Sequence, residues 1–162
     1  TTPGETMRTN GVIALRDKRG RKMDILRCDT TQYSRIARRY RSALAAGPML
    51  VRDGRSVEYD SEDSFYARRH PRTLIGKRAD GTVVMAVIDG RFKGEADGAT
   101  IAETAYIARQ LGLVDALNLD GGGSSTLWTA QEGILNHPYD NKRFDHEGER
   151  GVPNCIVIRR NK

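Results

Sequence analysis

The chain has 162 residues, with 27 Lys or Arg against 21 Asp or Glu and a formal charge of +6. Hydrophobic residues make up 38% and charged residues 30%, which is typical of a globular domain and excludes a disordered chain. No run approaches the roughly 18 apolar residues of a membrane-spanning helix, so a membrane span is excluded as well. The length predicts one domain over residues 1–162.

The basic charge balance favours an anionic partner, such as nucleic acid, a membrane face or a phosphorylated substrate. A solvated basic surface is the plainer alternative. Aromatic residues make up 6% and no nucleic-acid motif is found, which argues against nucleic acid. Cys28 and Cys155 each lie in an apolar, strand-like run, which predicts buried free thiols, with a disulfide as the alternative.

The first half of the chain predicts a hairpin, a helix and a short strand. Asp29 precedes a segment with helical apolar spacing and can cap it, and Gly47-Pro48 predicts a turn. The predicted elements are strands over 11–17 and 22–27 around a turn at 18–21, a helix over 32–44, a short strand ending at 51 and a surface loop over 56–69.

The second half predicts a strand–helix–strand unit. A strand over 72–78 turns into the run 82–88, which is apolar throughout and should be buried on both faces. Thr100 and Glu103 form the pattern of a capping box for a helix that ends at 111 before Gly112. A second apolar strand follows over 114–119. The predicted fold class is therefore α+β (mixed α/β), with a central mixed sheet containing this crossover unit and flanking helices.

Asp89 and Asp120 each follow directly after one of these two apolar strands. If the strands run parallel, both carboxylates lie at the same sheet edge, where α/β proteins bind ligands. The sequence therefore predicts a site with paired carboxylates. The alternative is two ordinary Asp-Gly turns.

The segment Asp120–Thr126 has three consecutive glycines followed by two serines. Glycines permit positive φ and close approach, so successive backbone N–H groups can hold an anion, and the serine hydroxyls add donors. The segment does not match a Walker loop, a dinucleotide fingerprint or a serine-hydrolase elbow. A flexible glycine turn between strands is the alternative.

The segment Asn118–Thr126 closely resembles the signature of the phosphodiester glycosidase family, which includes an enzyme that removes N-acetylglucosamine from a phosphodiester. Four further segments resemble family segments in the same order, over residues 43 to the end. They are Ala46–Pro48, His70–Gly76, Val87–Arg91 and Glu149–Asn154. The family's N-terminal Asn-Gly-x-Phe-like strand is not found, since Val12 follows Asn10-Gly11. The resemblance therefore implies that this segment is lacking.

The resemblance implies a hydrolase that cleaves a sugar C1–O bond with a phosphate monoester leaving. The candidate catalytic carboxylates are Asp120 or Asp89, as nucleophile or general base, and Glu149 as an alternative acid/base. The candidate phosphate-binding residues are Gly122, Gly123, Ser124, Ser125, Arg72 and Arg150.

No cofactor is required by this chemistry, and no metal ligands are assigned. A divalent cation bound by the polar loop that contains His137 and His146 stays an alternative, although its spacing matches no metal motif. The expected partner is a sugar phosphodiester or an anionic glycan. The expected location is secreted or in the cell envelope. Two other functions stay open, a non-catalytic module that binds an anionic cell-envelope glycan and a phosphodiesterase that cuts P–O.

Overall fold

The structure is a computed structural model that describes residues 8–17, 22–59 and 62–159. No helix within these ranges is long and apolar enough to cross a membrane. The helices are α1 (Tyr33–Arg39), α2 (Ser64–Ala67) and α3 (Ile101–Gln110). The strands are β1 (Gly11–Leu15), β2 (Met23–Arg27), β3 (Ser42–Ala46), β4 (Met49–Arg52), β5 (Arg55–Ser56), β6 (Arg72–Arg78), β7 (Val83–Ile88), β8 (Leu113–Asn118), β9 (Trp128–Thr129) and β10 (Gly133–Ile134).

The central sheet has the strand order β5-β4-β8-β6-β7, and its neighbouring strands are antiparallel. Strands β7 and β8 both run antiparallel to β6, which lies between them, so they run in the same direction as each other. Helix α3 connects them. The predicted strand–helix–strand unit is confirmed, and both of its strands end at one edge of the sheet.

The core lies on both faces of this sheet. On one face Leu74 and Ala116 pack against α3, which contributes Ile101 to the same cluster. On the other face Ile75 and Leu117 pack against a three-stranded sheet of order β2-β1-β3. Helix α1 covers the outer face of this second sheet. The alternation of side chains along β6 and β8 thus supplies both interfaces, as the two-residue period of a strand requires. The α+β class is confirmed, but the central sheet, which was predicted to be mixed, is antiparallel between all neighbouring strands, because β6 lies between the two strands of the crossover unit.

Helix α3 begins with the predicted capping box. The Thr100 hydroxyl accepts a hydrogen bond from the Glu103 backbone N–H at 3.0 Å, and the Glu103 carboxylate accepts from the Thr100 N–H at 2.9 Å. The hydrogen bond from the Thr100 N–H lowers the pKa of Glu103 most, and the Arg69 guanidinium lowers it further. The cap satisfies two N–H groups that have no partner inside the helix. It therefore fixes where the helix starts, after the twelve residues 89–100 that follow β7.

Two predicted elements of the N-terminal half were wrong in extent. The helix predicted over 32–44 ends at Arg39, because Ser42–Ala46 pairs as an antiparallel strand with β1. The loop predicted over 56–69 contains the second residue of β5, Ser56, and the short helix α2. The predicted hairpin is confirmed as β1 and β2. Its turn at 18–21 lies outside the described residues.

Two predictions of burial were also wrong. Strand β7 was expected to be buried on both faces, but it is the last strand of its sheet, its residues are only half-buried, and Val83 is 38% exposed. Cys28 is a buried free thiol, as predicted, whereas Cys155 is free and exposed. Residues 151–159 form no strand and are exposed throughout. The apolar run around Cys155 therefore does not belong to the core of the described part of the chain.

Candidate functional site

The site lies at the edge where β7 and β8 end. Ile88, the last residue of β7, pairs with Arg72, and the Leu119 N–H donates to the Thr73 carbonyl at 2.8 Å. Asp89 and Asp120 therefore leave the sheet on either side of the first residues of β6. The sequence prediction that both aspartates reach one edge is confirmed.

The glycine loop folds into a short 3₁₀ turn over Gly122–Ser124. Gly122 has φ +61°, which a residue with a side chain adopts only with strain. Four N–H groups of the loop already donate within the protein: Gly121 to Asp120 Oδ1 at 3.0 Å, Gly122 to the Pro71 carbonyl at 3.0 Å, Ser124 to the Gly121 carbonyl at 3.1 Å, and Ser125 to the Gly122 carbonyl at 3.2 Å. The loop thus differs from the predicted anion nest, because most of these donors are committed to shaping it.

The two serines of this loop have different environments. The Ser125 side chain is buried, and its Oγ accepts a hydrogen bond from the Thr73 hydroxyl at 3.0 Å. Ser124 is half-buried, and its Oγ faces the guanidinium of Arg150. Ser125 therefore joins the loop to β6, whereas Ser124 presents its hydroxyl at the surface of the site.

Arg150 brings three parts of the site together. Its Nε and Nη2 lie 3.1 and 2.7 Å from Ser124 Oγ and donate to it. Nη2 is 3.9 Å from Asp120 Oδ2, and Nη1 is 3.6 Å from Asp140 Oδ2. The structure thus brings together three residues predicted from sequence, Asp120, Ser124 and Arg150. The ion pairs are long and exposed, so they hold the guanidinium only weakly.

Asp140 packs directly against the glycine loop. A β-carbon added at Gly123 would collide with the Asp140 carboxylate. Gly123 is therefore needed for this close approach, and any side chain at this position would displace Asp140. The sequence analysis gave Asp140 no role at the site.

Arg91 is a second arginine at the site that sequence reasoning missed. Its Nε and Nη2 donate to His70 Nδ1 at 3.2 and 3.0 Å, and its guanidinium lies over the Tyr139 ring, 5.3 Å from the centroid. Its Nη1 would be 3.3 Å from a β-carbon at Gly122. The signal was present in the segment Asp89-Gly90-Arg91, where only the aspartate was given a role.

His70 is the acceptor in the contact with Arg91. Its Nε2 lies 3.1 Å from the Ser64 carbonyl, so a neutral ring that donates there can accept from Arg91 at Nδ1. Burial lowers the pKa of His70, and the positive charge of Arg91 lowers it further. Both effects favour the neutral ring that this geometry needs.

Arg72 has different partners from those predicted. Its side chain is 2% exposed, Nε donates to the Ala99 carbonyl at 2.8 Å, and Nη2 donates to the carbonyls of Phe65 and Arg68 at 2.6 and 3.2 Å. Burial lowers the pKa of Arg72 to about 10. These contacts tie β6 to α2 and to the segment before α3, and they give Arg72 a framework role.

Asp89 lies beneath the polar loop that starts at Asn136. Its Oδ1 accepts from the Asn136 side-chain amide at 3.0 Å, its two oxygens accept from the His137 backbone N–H at 3.1 and 3.0 Å, and its Oδ2 lies 2.9 Å from His137 Nδ1. The His137 ring stacks on Phe144, with centroids 3.7 Å apart, and on His146 at 4.5 Å. Asp89 is therefore enclosed by donors.

Glu149 takes no part in the polar contacts that join the other site residues predicted from sequence. It is exposed, and no hydrogen bond or ion pair joins it to another described residue. The described ranges also contain no group of three or more His, Cys, Asp or Glu side chains placed to hold a metal ion.

A cavity of about 470 Å³ lies elsewhere, between α2, α3 and residues 56–59, and none of the site residues lines it.

The fold and this edge define an α+β protein with a charged, glycine-lined site beyond the ends of two strands. The sequence profile of the phosphodiester glycosidase family matches residues 3–159. The chain therefore belongs to the phosphodiester glycosidase family.

Two curated proteins are similar to part of this chain. A prophage-derived uncharacterized protein of Bacillus subtilis, YomE, is 36% identical over 100 residues, and the mouse N-acetylglucosamine-1-phosphodiester alpha-N-acetylglucosaminidase is 31% identical over 86 residues. These matches cover 60% and 49% of the chain. The chain spans only 15% and 16% of the length of these two relatives.

A solved structure supports the fold. The catalytic domain of the zebrafish N-acetylglucosamine-1-phosphodiester alpha-N-acetylglucosaminidase, in a form auto-inhibited by its pro-peptide, aligns with a TM-score of 0.63. The alignment covers 81% of this chain and 45% of that chain, at 18% identity. At this identity the likeness supports the fold alone.

Proposed function

We propose that this chain is a hydrolase that cleaves the bond between C1 of a sugar and the oxygen of a phosphodiester, releasing the sugar and a phosphate monoester. The observation that carries the proposal is the guanidinium of Arg150 on Ser124 Oγ, beside the exposed carboxylate of Asp120. The family supports this reaction class. A glycan phosphodiester outside the cell or in its envelope is the proposed substrate, and no cofactor is invoked.

The phosphate is proposed to bind between two arginines. Arg150 lies at Ser124 and Arg91 at Gly122, so the two guanidinium groups flank the glycine loop. Both side chains are exposed, and a guanidinium fits phosphate oxygens through paired N–H donors. The Ser124 hydroxyl adds a further donor at the same place.

Asp120 is proposed to act at the sugar carbon. Its side chain is 81% exposed, and its Oδ1 accepts from the adjacent Gly121 N–H at 3.0 Å. A phosphate monoester is a good leaving group and needs little protonation as it departs. A carboxylate that attacks or stabilises C1 is therefore the main requirement, and Asp120 has the needed access.

The carboxylates argue against a module that only binds an anionic glycan. Asp120 and Asp140 both face Arg150, so a phosphate bound there meets two negative charges. Such repulsion weakens binding unless the carboxylates take part in the chemistry. This arrangement favours catalysis over simple binding.

The test is release of N-acetylglucosamine from an α-N-acetylglucosamine-1-phosphodiester, measured for the wild type and for Asp120→Asn. We expect the variant to lose about 10²–10⁴-fold in kcat. Asp53→Asn is the matched control, because Asp53 is 85% exposed and lies in the turn between β4 and β5, at the end of the sheet away from the site. This control should keep wild-type activity.

Water labelled with heavy oxygen separates the two bond cleavages. Label found in the sugar supports cleavage of C1–O, and label found in the phosphate identifies a phosphodiesterase that cuts P–O. Binding of the diester without release of sugar by the wild type would contradict the proposed hydrolase and support the binding module. Equal activity in both aspartate variants would remove Asp120 from the reaction.

A further inference from the structure

We infer that His137 takes the proton from the water molecule that attacks C1, and that Asp89 and Asn136 position it. This inference rests on the proposed function, since it assigns a proton acceptor to the same site. It also changes the role of Asp89 from an attacking carboxylate to a residue that orients an imidazole.

The first argument is the set of partners around Asp89. Its carboxylate accepts from the Asn136 amide and from both the backbone N–H and the ring of His137, at 2.9–3.1 Å. Its side chain is only 19% exposed, against 81% for Asp120. A carboxylate held by three donors is poorly placed to attack a sugar carbon but well placed to orient a ring.

The second argument is the tautomer that this contact favours. A carboxylate only accepts, so a hydrogen bond at His137 Nδ1 requires a proton on that nitrogen. In the neutral ring, Nε2 then carries the lone pair and can accept a proton. A carboxylate that fixes a histidine in this way is the arrangement by which many hydrolases prepare a general base.

The third argument is the restraint on the ring plane. His137 is stacked between Phe144, at an interplanar angle of 13°, and His146, at 29°. Asp89 and His146 are titratable groups in contact with the ring. His146 directs its own Nδ1 to the Asn136 carbonyl at 2.8 Å, so it does not compete for Asp89.

The fourth argument links this pair to the glycine loop. The Asn136 amide nitrogen donates to the Ser125 carbonyl at 2.8 Å as well as to Asp89. Its oxygen accepts from the Leu127 N–H at 2.7 Å, so the whole side chain is fixed. One residue therefore joins the Asp89–His137 pair to the loop beside Ser124 and Arg150.

The proposed step is balanced as follows. Water forms a bond from its oxygen to C1 and gives a proton to His137 Nε2. Where Asp120 only stabilises the charge at C1, the C1–O bond to phosphate breaks in this step, and its electron pair leaves with the phosphate monoester. Where Asp120 has first displaced the phosphate, the bond that breaks is the one between C1 and Asp120. The imidazolium then returns its proton to solvent.

The experiment compares the wild type with His137→Ala on the same phosphodiester. We expect kcat to fall about 10²–10⁴-fold and added imidazole to restore part of it. The loss of activity on the acid side of the wild-type pH profile should also disappear, because an imidazole base works only when neutral. His146→Phe keeps an aromatic ring on the stack and should gain nothing from imidazole.

A second measurement does not depend on activity. Nitrogen chemical shifts of the His137 ring should show the Nδ1–H tautomer in the wild type and its loss in Asp89→Asn. An Nε2–H tautomer in the wild type would overturn the inference whatever the activity. An active wild type whose His137→Ala variant keeps its kcat and pH profile would also overturn it, with the proposed hydrolase still standing. If the wild type cleaves no sugar phosphodiester, the proposed function fails and the inferred proton transfer fails with it, while the tautomer still reports whether Asp89 orients His137.

Discussion

Arg72 and Arg150 show how differently the interior and the edge of this molecule use the same side chain. Arg72, at the start of β6, is buried and donates to three main-chain carbonyls. Arg150, on an irregular segment beside the glycine loop, is exposed and contacts Ser124, Asp120 and Asp140. The sequence analysis gave both arginines the same role.

The difference follows from what each environment can satisfy. A buried guanidinium must replace its lost water with fixed acceptors, and main-chain carbonyls supply them. Burial still disfavours its charge, which is why the pKa of Arg72 falls to about 10. The exposed guanidinium of Arg150 is held only by weak pairs that a ligand can replace. The interior arginine therefore supports stability, and the edge arginine is available for binding.

The largest effect expected from this comparison is on stability. In Arg72→Met, the carbonyls of Phe65 and Arg68 lose their guanidinium donor, whereas the Ala99 carbonyl keeps the His70 N–H. Each hydrogen bond from a charged donor contributes about 1–3 kcal/mol, so the loss of these two partly buried bonds should lower the free energy of unfolding by about 2–6 kcal/mol. Urea denaturation measures it.

Arg78→Met is the matched control on the same strand. Arg78 is exposed and donates to the Leu111 carbonyl, so its loss should cost less than about 1 kcal/mol. Similar losses in the two variants would show that Arg72 does not have the framework role given to it by its contacts.

The second prediction concerns Arg150, at the exposed site. Arg150→Gln should lower kcat/KM by about 10²–10³-fold, because a charged donor to the proposed phosphate is lost. Its unfolding free energy should stay within about 0.5 kcal/mol of the wild type, as expected for an exposed side chain. Arg109→Gln, an exposed arginine on α3, controls for the loss of one positive charge. An equal loss of activity in both variants would point to general charge steering instead of a phosphate contact.

Local patterns were enough to predict the framework of the fold. The capping box at Thr100 and the apolar strands on either side of α3 depend on neighbouring residues, and the structure has them where the sequence indicates. The helix predicted over 32–44 was too long because pairing with β1 overrides the local helical preference of residues 42–44. The sequence of strand β7 is typical of an interior strand, and only the strand order shows that β7 is the outermost strand of its sheet.

The site was predictable only in part for a related reason. Asp120, Ser124 and Arg150 were found because short motifs contain them. The contacts of Asp89 with Asn136 and His137 join residues 47 and 48 positions apart through an irregular loop. No periodicity reports such a contact. The same holds for Arg91 on His70, which lies 21 residues away in the chain.

The smallest expected effect is the pH dependence of this Arg91–His70 contact. Burial holds the pKa of His70 below its ordinary value of 6.5, so the unfolded chain binds the proton more readily than the folded one. Stability from this residue is therefore fully present above pH 6.5, falls as the pH drops below it, and stops falling once the folded ring is protonated. Urea unfolding at pH 7.5 and pH 5 should show a smaller difference for His70→Gln than for the wild type. An unchanged difference would mean that His70 is as easily protonated in the folded protein as in the unfolded chain, and that Arg91 does not depend on a neutral partner for its place beside the glycine loop.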